Sequence, residues 1–584
     1  MSAHRHGEFD ILLVCAERFM LVVEFNSWDL KHKSPFGAVS CNTSVSFSLL
    51  AEECDLAYLC TQNAEPLPME KDGDWFHITL TPEDAGLVFY YFKLHSIYGP
   101  TFYCGKGNGG NSYCTDDIPN SWQLTVYEKT TEIPDWYKQG IVYQIFPDRF
   151  YIGGEINRAK KDAHYREWTE MPTYIRAEDN SIKTWDFYGG NLKGVTEKLP
   201  YLKSLGVTCI YLNPIFESSS NHRYSTADYK KIDNILGDET DFAHLIAEAD
   251  KNGIKIILDG VFNHVGADSI YFNRFGSYGS DGAYQSENSQ YYPWFRFNQY
   301  PDDYECWWGV TDLPDLEENN EELRKFLLTD SDSVIRKWTR FGIGGWRLDV
   351  ADELPDDFLA LLFKTVKEEN EKAIVMGEVW EDASNKIAYD TLRKYFTHKE
   401  LDCVMNYPFR DSLFAFFRGE INAHALKNIF MTQMENYPES AFLSNLNLLG
   451  THDTERIRTM TAEINPDHEF KLLTQLVALQ FTFPGVPSEY YGDEAGVTGG
   501  KDPDNRKPYP WGNEDKDTFS LYQKYMKLRA QSEVLKKGKT EFFAFSDDVF
   551  GVKRTFNGNT HILYVNRSDF EQEGVPSHGI KEEF

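Results

Sequence analysis

The sequence predicts an α/β protein: a (β/α)8 TIM barrel with an inserted subdomain after its third strand, preceded by an N-terminal β-sandwich and followed by a short C-terminal β-domain. Three observations lead there. Eight apolar, strand-like runs alternate with helix-like segments from residue 141 onward. The chain before them holds only short β-rich runs parted by polar or Gly/Pro turns. Polar residues gather at the downstream ends of four of the eight runs, the end at which a parallel barrel builds its site. An open doubly wound sheet is the alternative topology. At 584 residues the chain exceeds what one core usually supports, so smaller domains attached to a large one are expected.

Taken in order, SVSFSLL, WFHITL and LVFYYFKLH read as sandwich strands within residues 1–130. KTTEIPDWYKQG, residues 129–140, is the boundary, and the barrel is expected over 131–516. Its strands are IVYQIFPDRF from Ile141, VTCIYLNPIFE from Val207, IKIILDGVFNHV from Ile254, IGGWRLDVADE from Ile343, KAIVMGEVW from Lys372, LDCVMNYPF from Leu401, LNLLGTHDTE from Leu446 and FTFPGVPSEYYGDE from Phe481. The gap after the third is too long for a helical crossover, and its Tyr-, Gly- and Asn-rich stretch, about 266–318, reads as an excursion beside the barrel mouth. From 517 to 584, runs such as VFGVKRTF and THILYVNR predict a small β-domain.

Composition narrows the function. A formal charge of −32 repels phosphate backbones and anionic lipid, so no nucleic acid and no membrane partner is expected. The N-terminal MSAHRHGEFDILLVCAERFMLVVEF is interrupted by Glu17 and Arg18 and fits neither a signal peptide nor a membrane span. Nine cysteines, an odd count without metal-type spacing, fit reduced thiols in a cytoplasmic protein. Cys104 and Cys114 flank a Gly-rich loop and are the one pair to watch, though close spacing alone says little about geometry and no bridge is expected. Aromatic residues reach 15%; most belong to the core, and exposed rings suit sugars, whose C–H faces pack on aromatic planes.

The third strand ends with Asp259, Asn263 and His264, the fourth with Arg347 and Asp349, the fifth with Glu378, the seventh with His452 and Asp453. A lone strand-end carboxylate usually caps the next helix, but recurrence on four converging strands points to a site. Glycosidic bond cleavage needs two facing carboxylates, one protonated and one ionised. Arg347 beside Asp349 is expected to keep that carboxylate ionised as a nucleophile. Glu378, in the apolar context VMGEVW, is expected to be the general acid. Asp453 is suited to stabilise an oxocarbenium-like transition state, with His264 and His452 donating to sugar hydroxyls.

DGVFNH, GWRLDVADE, GEVW and LLGTHDTE, in this order, resemble the four signature regions of the α-amylase family, glycoside hydrolase family 13, and VYQIFPDRF and GVPSEYYGDEAG resemble its flanking regions. The likeness covers roughly residues 140 to 510 and implies Asp349 as nucleophile, Glu378 as acid/base and Asp453 as stabiliser, supported by Arg347, His264 and His452. In NHRYSTADY it implies that Tyr224 stacks on the sugar, with His222 and Asp228 as weaker neighbours; Asp259, deeper in its strand, is read as structural. Asp352, Glu353 and Trp380 are expected near the substrate. Together with the N-terminal β-domain, these segments are similar to the neopullulanase, cyclomaltodextrinase and maltogenic amylase group, implying hydrolysis of α-1,4 links in cyclodextrins, pullulan, starch and maltooligosaccharides, in the cytoplasm, by a homodimer. An α-amylase, an α-1,6 debranching enzyme of the same family and an inactive glucan-binding homologue stay open as alternatives. LPDL at 313–316 and Asp352 in VADE depart from the group's usual MPKL and VANE or VANH. YIGGEINRAKKDAHY lacks the look of the calcium loop seen in some relatives, so no cofactor is required, and Asn263 is the one candidate calcium ligand.

Overall fold

Eight parallel strands form one sheet in the computed structural model, which describes residues 22–584 apart from 63, 130–131, 161–162 and 177–181. They are β1 (Val142–Ile145), β2 (Cys209–Leu212), β3 (Lys255–Gly260), β4 (Gly345–Leu348), β5 (Ile374–Gly377), β6 (Cys403–Val404), β7 (Leu446–Leu448) and β8 (Val486–Tyr490). Neighbours run in the order β6-β5-β4-β3-β2-β1-β8-β7, and a parallel bridge between Met405 and Leu446 brings β6 against β7, so the sheet all but closes on itself. Nearly every strand residue is buried, which is why the runs are continuously apolar instead of alternating. Val142, Cys209, Tyr211, Ile257, Ile374, Met376, Leu446 and Val486 share one core cluster.

Helices cover the outside. α1 (Leu192–Ser204) and α2 (Glu239–Lys251) start at Asn191 and Asp238, whose side chains accept from backbone N–H groups of the first turn, and α3 (Asp356–Glu369) buries Phe358, Leu359, Leu362, Phe363 and Val366 at helical spacing. The connection from β5 to β6 carries no helix among the described residues; a hairpin of Ile387–Ala388 with Thr391–Leu392 stands there. The excursion after β3 is mostly turns with one short hairpin, Phe297–Gln299 with Asp303–Tyr304, and bridges from His264 to Asp315 and from Phe295 to Leu316 fold it back. β character does not resume at 517: residues 516–531 form α4 (Lys516–Gln531), because Leu521, Tyr522, Tyr525, Met526 and Arg529 recur with helical period and are buried. A four-stranded antiparallel sheet follows, from Lys539–Ala544 to Gly579–Glu583.

The chain divides into two compact units, one built on the described residues up to 129 with 394–398 and 427–442, the other on the remainder. In the first, two mainly antiparallel sheets share a core that includes Phe47, Leu49, Phe76, Tyr90, Phe92 and Trp122. Lys33 and Glu435, both buried, pair at 2.9 Å and bind the 427–442 segment into this unit. Cys104 and Cys114 are bridged, contrary to the expectation of free thiols, because the two hairpin strands pair in a register that sets them directly opposite, with Cα atoms 4.2 Å apart. The N-terminal stretch through Leu21, including Glu17 and Arg18, lies outside the described residues. No helix among the described residues is long and apolar enough to cross a membrane.

Candidate active site

Alternation along β4 turns Arg347 and Asp349 to the same side, and the in-register pairing of Arg347 with Asp259 across β3 adds a second carboxylate. The fully buried guanidinium is shared three ways. Its Nη1 donates to Asp259 Oδ1 at 2.9 Å and to Asp349 Oδ1 at 2.7 Å. Its Nη2 lies 2.9 Å from Glu378 Oε2, off the hydrogen-bond axis. The sequence suggested a one-to-one pair of Arg347 with Asp349; the register makes it one cation among three carboxylates. Burial therefore pushes the Asp349 carboxyl well up, with Arg347 opposing and the Glu378 and Asp259 charges adding to the rise.

Glu378 is not in an apolar pocket. Its Oε2 accepts from the Val350 N–H at 2.9 Å and its Oε1 from Trp380 Nε1 at 3.2 Å, because the turn after β4 folds over the end of β5. That turn is strained: Val350 is a β-branched residue in left-handed backbone, φ 38° and ψ 57°, a conformation costing about 1–3 kcal/mol. The strain aims its N–H at the glutamate. Asp259 has its oxygens filled by protein, accepting from Tyr211 Oη at 2.5 Å and Tyr224 Oη at 2.8 Å besides Arg347.

On the opposite wall, Gln144 Nε2 donates to His452 Nδ1 at 2.9 Å, which leaves the proton on Nε2, 3.2 Å from Asp453 Oδ2. His452 thus supports Asp453 and is not turned only to a ligand. Burial and the Arg506 charge hold His452 and His222 well below the usual imidazole range, and burial lowers His264 to about 4, so all three are neutral at pH 7. The enclosing walls and the Glu378 charge push Asp453 up to about 7, with Arg506 opposing. Tyr224 lies parallel to His452, ring centres 5.2 Å apart, and its N–H donates to His222 Nδ1 at 3.0 Å.

The structure therefore gathers Asp349, Glu378, Asp453, Arg347, His264, His452, Tyr224 and His222 around one mouth. Asp352 and Glu353 sit at its rim: Asp352 lies 3.3 Å from Lys386 Nζ, and Glu353 holds Trp308 and Tyr389. Asp228 stands apart on the Phe216–Ser218/Thr226–Ile232 hairpin, where it accepts from Lys230 N. Asn263 Oδ1 lies 3.1 Å from His264 Nδ1, and among the described residues no group of three or more His, Cys, Asp and Glu could hold a metal ion. Arg506 escaped the sequence reading. Its Nε donates to the His452 carbonyl at 3.0 Å, and its Nη2 lies 3.5 Å from Asp453 Oδ1. Gln144, Tyr211 and Tyr407, which stacks on Trp380 at 3.9 Å, escaped it too, since none is a charged residue at a strand end.

Carboxylates sharing one guanidinium, neutral imidazoles and a half-exposed indole at the carboxyl ends of a parallel barrel define a (β/α)8-barrel protein with a site of the glycoside-hydrolase type. Residues 144–544 match the family described as alpha amylase, catalytic domain, and the chain belongs to that α-amylase family. It is 35% identical over 632 residues to an amylopullulanase of Thermoanaerobacterium saccharolyticum, covering 93% of this chain and 49% of that one. It is 35% identical over 449 residues to a cyclomaltodextrinase of Thermoanaerobacter pseudethanolicus, covering 75% of this chain and 72% of that one. The solved structure of a cyclic α-maltosyl-(1→6)-maltose hydrolase from Arthrobacter globiformis aligns with a TM-score of 0.67 at 28% identity, over 77% of this chain and 99% of that one. The chain spans half or less of the length of the amylopullulanases it matches.

Proposed function

We propose that this chain hydrolyses α-1,4-glucosidic bonds in cyclodextrins, pullulan, starch and maltooligosaccharides by double displacement. The observation that carries the reading is the Arg347 guanidinium in contact with Asp349 and Glu378 at the mouth of the barrel. In the first step Asp349 attacks the anomeric carbon, the bond to the leaving oxygen breaks, and Glu378 gives that oxygen its proton. In the second, water loses a proton to Glu378 and displaces Asp349, so the configuration is retained. Burial and the neighbouring carboxylate charges raise the Asp349 carboxyl, with Arg347 opposing, and the first step requires that the proton given to the leaving oxygen be carried by Glu378. Asp453 and its His452 partner face the developing positive charge on the sugar ring.

Anomeric NMR of the products tests the mechanism; release of the inverted anomer refutes a nucleophilic Asp349. Absence of reducing sugar from γ-cyclodextrin, pullulan and starch alike refutes the activity and favours an inactive glucan-binding homologue. Cleavage of α-1,6 bonds is the second reading, favoured by the 93% of this chain that aligns with an amylopullulanase, and the trisaccharide released from pullulan separates the two, maltotriose for α-1,6 cleavage and panose or isopanose for α-1,4 cleavage. Action in the cytoplasm and as a homodimer belong to the same proposal; a light-scattering mass near 67.5 kDa argues against the dimer.

A further inference from the structure

Gln144 is a polar residue within the apolar strand β1, 1% exposed, and a buried amide has to find partners. Alternation sets it on the same face as Val142 of the core cluster, one step nearer the mouth. Its Nε2 donates twice, to Asn213 Oδ1 at 3.1 Å and to His452 Nδ1 at 2.9 Å. Asn213 directly follows β2, and its Nδ2 donates to Tyr224 Oη at 2.9 Å. Tyr224 Oη donates to Asp259 Oδ2 at 2.8 Å, and His452 Nε2 lies 3.2 Å from Asp453 Oδ2. One chain of contacts therefore runs from Asp259 to Asp453 through Tyr224, Asn213, Gln144 and His452.

The direction of the bonds follows from the Asp259 end. That carboxylate accepts from Arg347, Tyr211 and Tyr224, so the single hydroxyl proton of Tyr224 is committed to it. Tyr224 Oη can then only accept from Asn213, which turns the Asn213 oxygen toward Gln144. Gln144 has to donate there, and its remaining N–H meets His452 Nδ1. Donation reverses direction only at Gln144, and it can do so there because an NH2 carries two protons on one atom. Burial and the Arg506 charge keep His452 neutral, so the ring has one proton, and an Nδ1 that accepts leaves that proton on Nε2. In the other tautomer a lone pair would face the Asp453 carboxylate.

We propose that Gln144 is a positioning residue of the reaction: as the double donor between Asp259 and Asp453, it fixes the Nε2–H form of His452 and so holds Asp453 in place beside the sugar ring. This rests on the hydrolase reading above. Gln144 acts through His452 and not on the substrate.

Gln144→Met keeps the length of the side chain and removes both donors, and Gln144→Glu keeps its shape and puts an acceptor where a donor stood. Each is expected to lower kcat on γ-cyclodextrin about ten- to hundredfold, the effect of leaving a buried hydrogen-bonding group unpaired. KM is expected to stay within about threefold, and the loss to be equal on 4-nitrophenyl α-maltoside, because the chain of bonds lies on the wall opposite Glu378. Nitrogen-15 NMR of histidine-labelled protein reads the tautomer, with the His452 signals identified by their loss in His452→Gln. A bare Nδ1 and a protonated Nε2 are expected in the wild type, and a proton on Nδ1 in Gln144→Glu; a merely structural role would leave the proton where it is. A wild-type His452 protonated on Nδ1 overturns the proposal, as does a kcat within about twofold of wild type in both Gln144 variants. A wild-type protein that cleaves neither compound overturns the hydrolase reading, and the catalytic role of Gln144 with it.

Discussion

Replacing Asp259 by Asn removes one negative charge from the cluster around Arg347 without removing bulk. Asp259 Oδ1 and Asp349 Oδ1 both accept from Arg347 Nη1, at 2.9 and 2.7 Å, so they are no more than about 5.6 Å apart. At an effective dielectric of about 20 their repulsion is then about 3 kcal/mol, equivalent to about two pH units on the Asp349 carboxyl. The substitution also releases the guanidinium toward Asp349, which acts in the same direction. In the mechanism proposed above Asp349 attacks as the carboxylate, so its proton is expected to set the acidic limb of kcat/KM for the free enzyme. The limb is therefore expected to move down by one to two pH units, roughly, relative to wild type. The assay is initial-rate hydrolysis of γ-cyclodextrin across acid and neutral pH, with circular dichroism confirming that the variant is folded. A limb that stays in place, or moves to higher pH, refutes the shared-charge account.

Glu378→Gln should lower kcat by about 10²–10⁴-fold on γ-cyclodextrin, and less on a nitrophenyl glycoside whose leaving group needs no proton; an equal loss on both removes the acid role. Arg347→Met leaves three carboxylates beside no cation and should cost about 3–5 kcal/mol in urea unfolding at neutral pH, shrinking in acid as they protonate. Glu318 is buried and its carboxyl is pushed up to about 8 by that burial, so the folded protein holds a proton that the unfolded chain releases near pH 4.5. The stability this lends is complete below that pH and is lost as pH rises toward 8, so Glu318→Gln should narrow the gap in thermal midpoint between pH 5 and pH 8. Alkylation of the unfolded, unreduced chain should leave Cys104 and Cys114 unlabelled, and labelling of both by mass spectrometry contradicts the bridge.

Barrel strands were readable because burial on both faces writes them as unbroken apolar runs, and the polar breaks at their ends mark the mouth. Asp349, Glu378, Asp453, Arg347, His264 and His452 could be singled out for that reason, each being a polar residue where the local pattern calls for an apolar one. Gln144 on β1 looks like one more strand residue until β1 and β7 are placed in one barrel and it meets His452, 308 positions away. Arg506 and Tyr389 sit in loops whose course no periodicity constrains. α4 was missed because its buried positions include tyrosines and an arginine, which blur the apolar stripe.

The sequence by itself determined the order of the eight barrel strands and the chemical groups available at their mouth, since residue type and spacing decide which segments bury and on which side. Only the tertiary structure decided how those groups share charge. Arg347 serves three carboxylates instead of one, Glu378 is hydrogen-bonded instead of apolar, and His452 hands its proton side to Asp453. The reason is that electrostatic coupling depends on separations of a few ångströms and on exclusion of water, and both are set where β3, β4, β5 and β7 converge, between residues far apart in the chain.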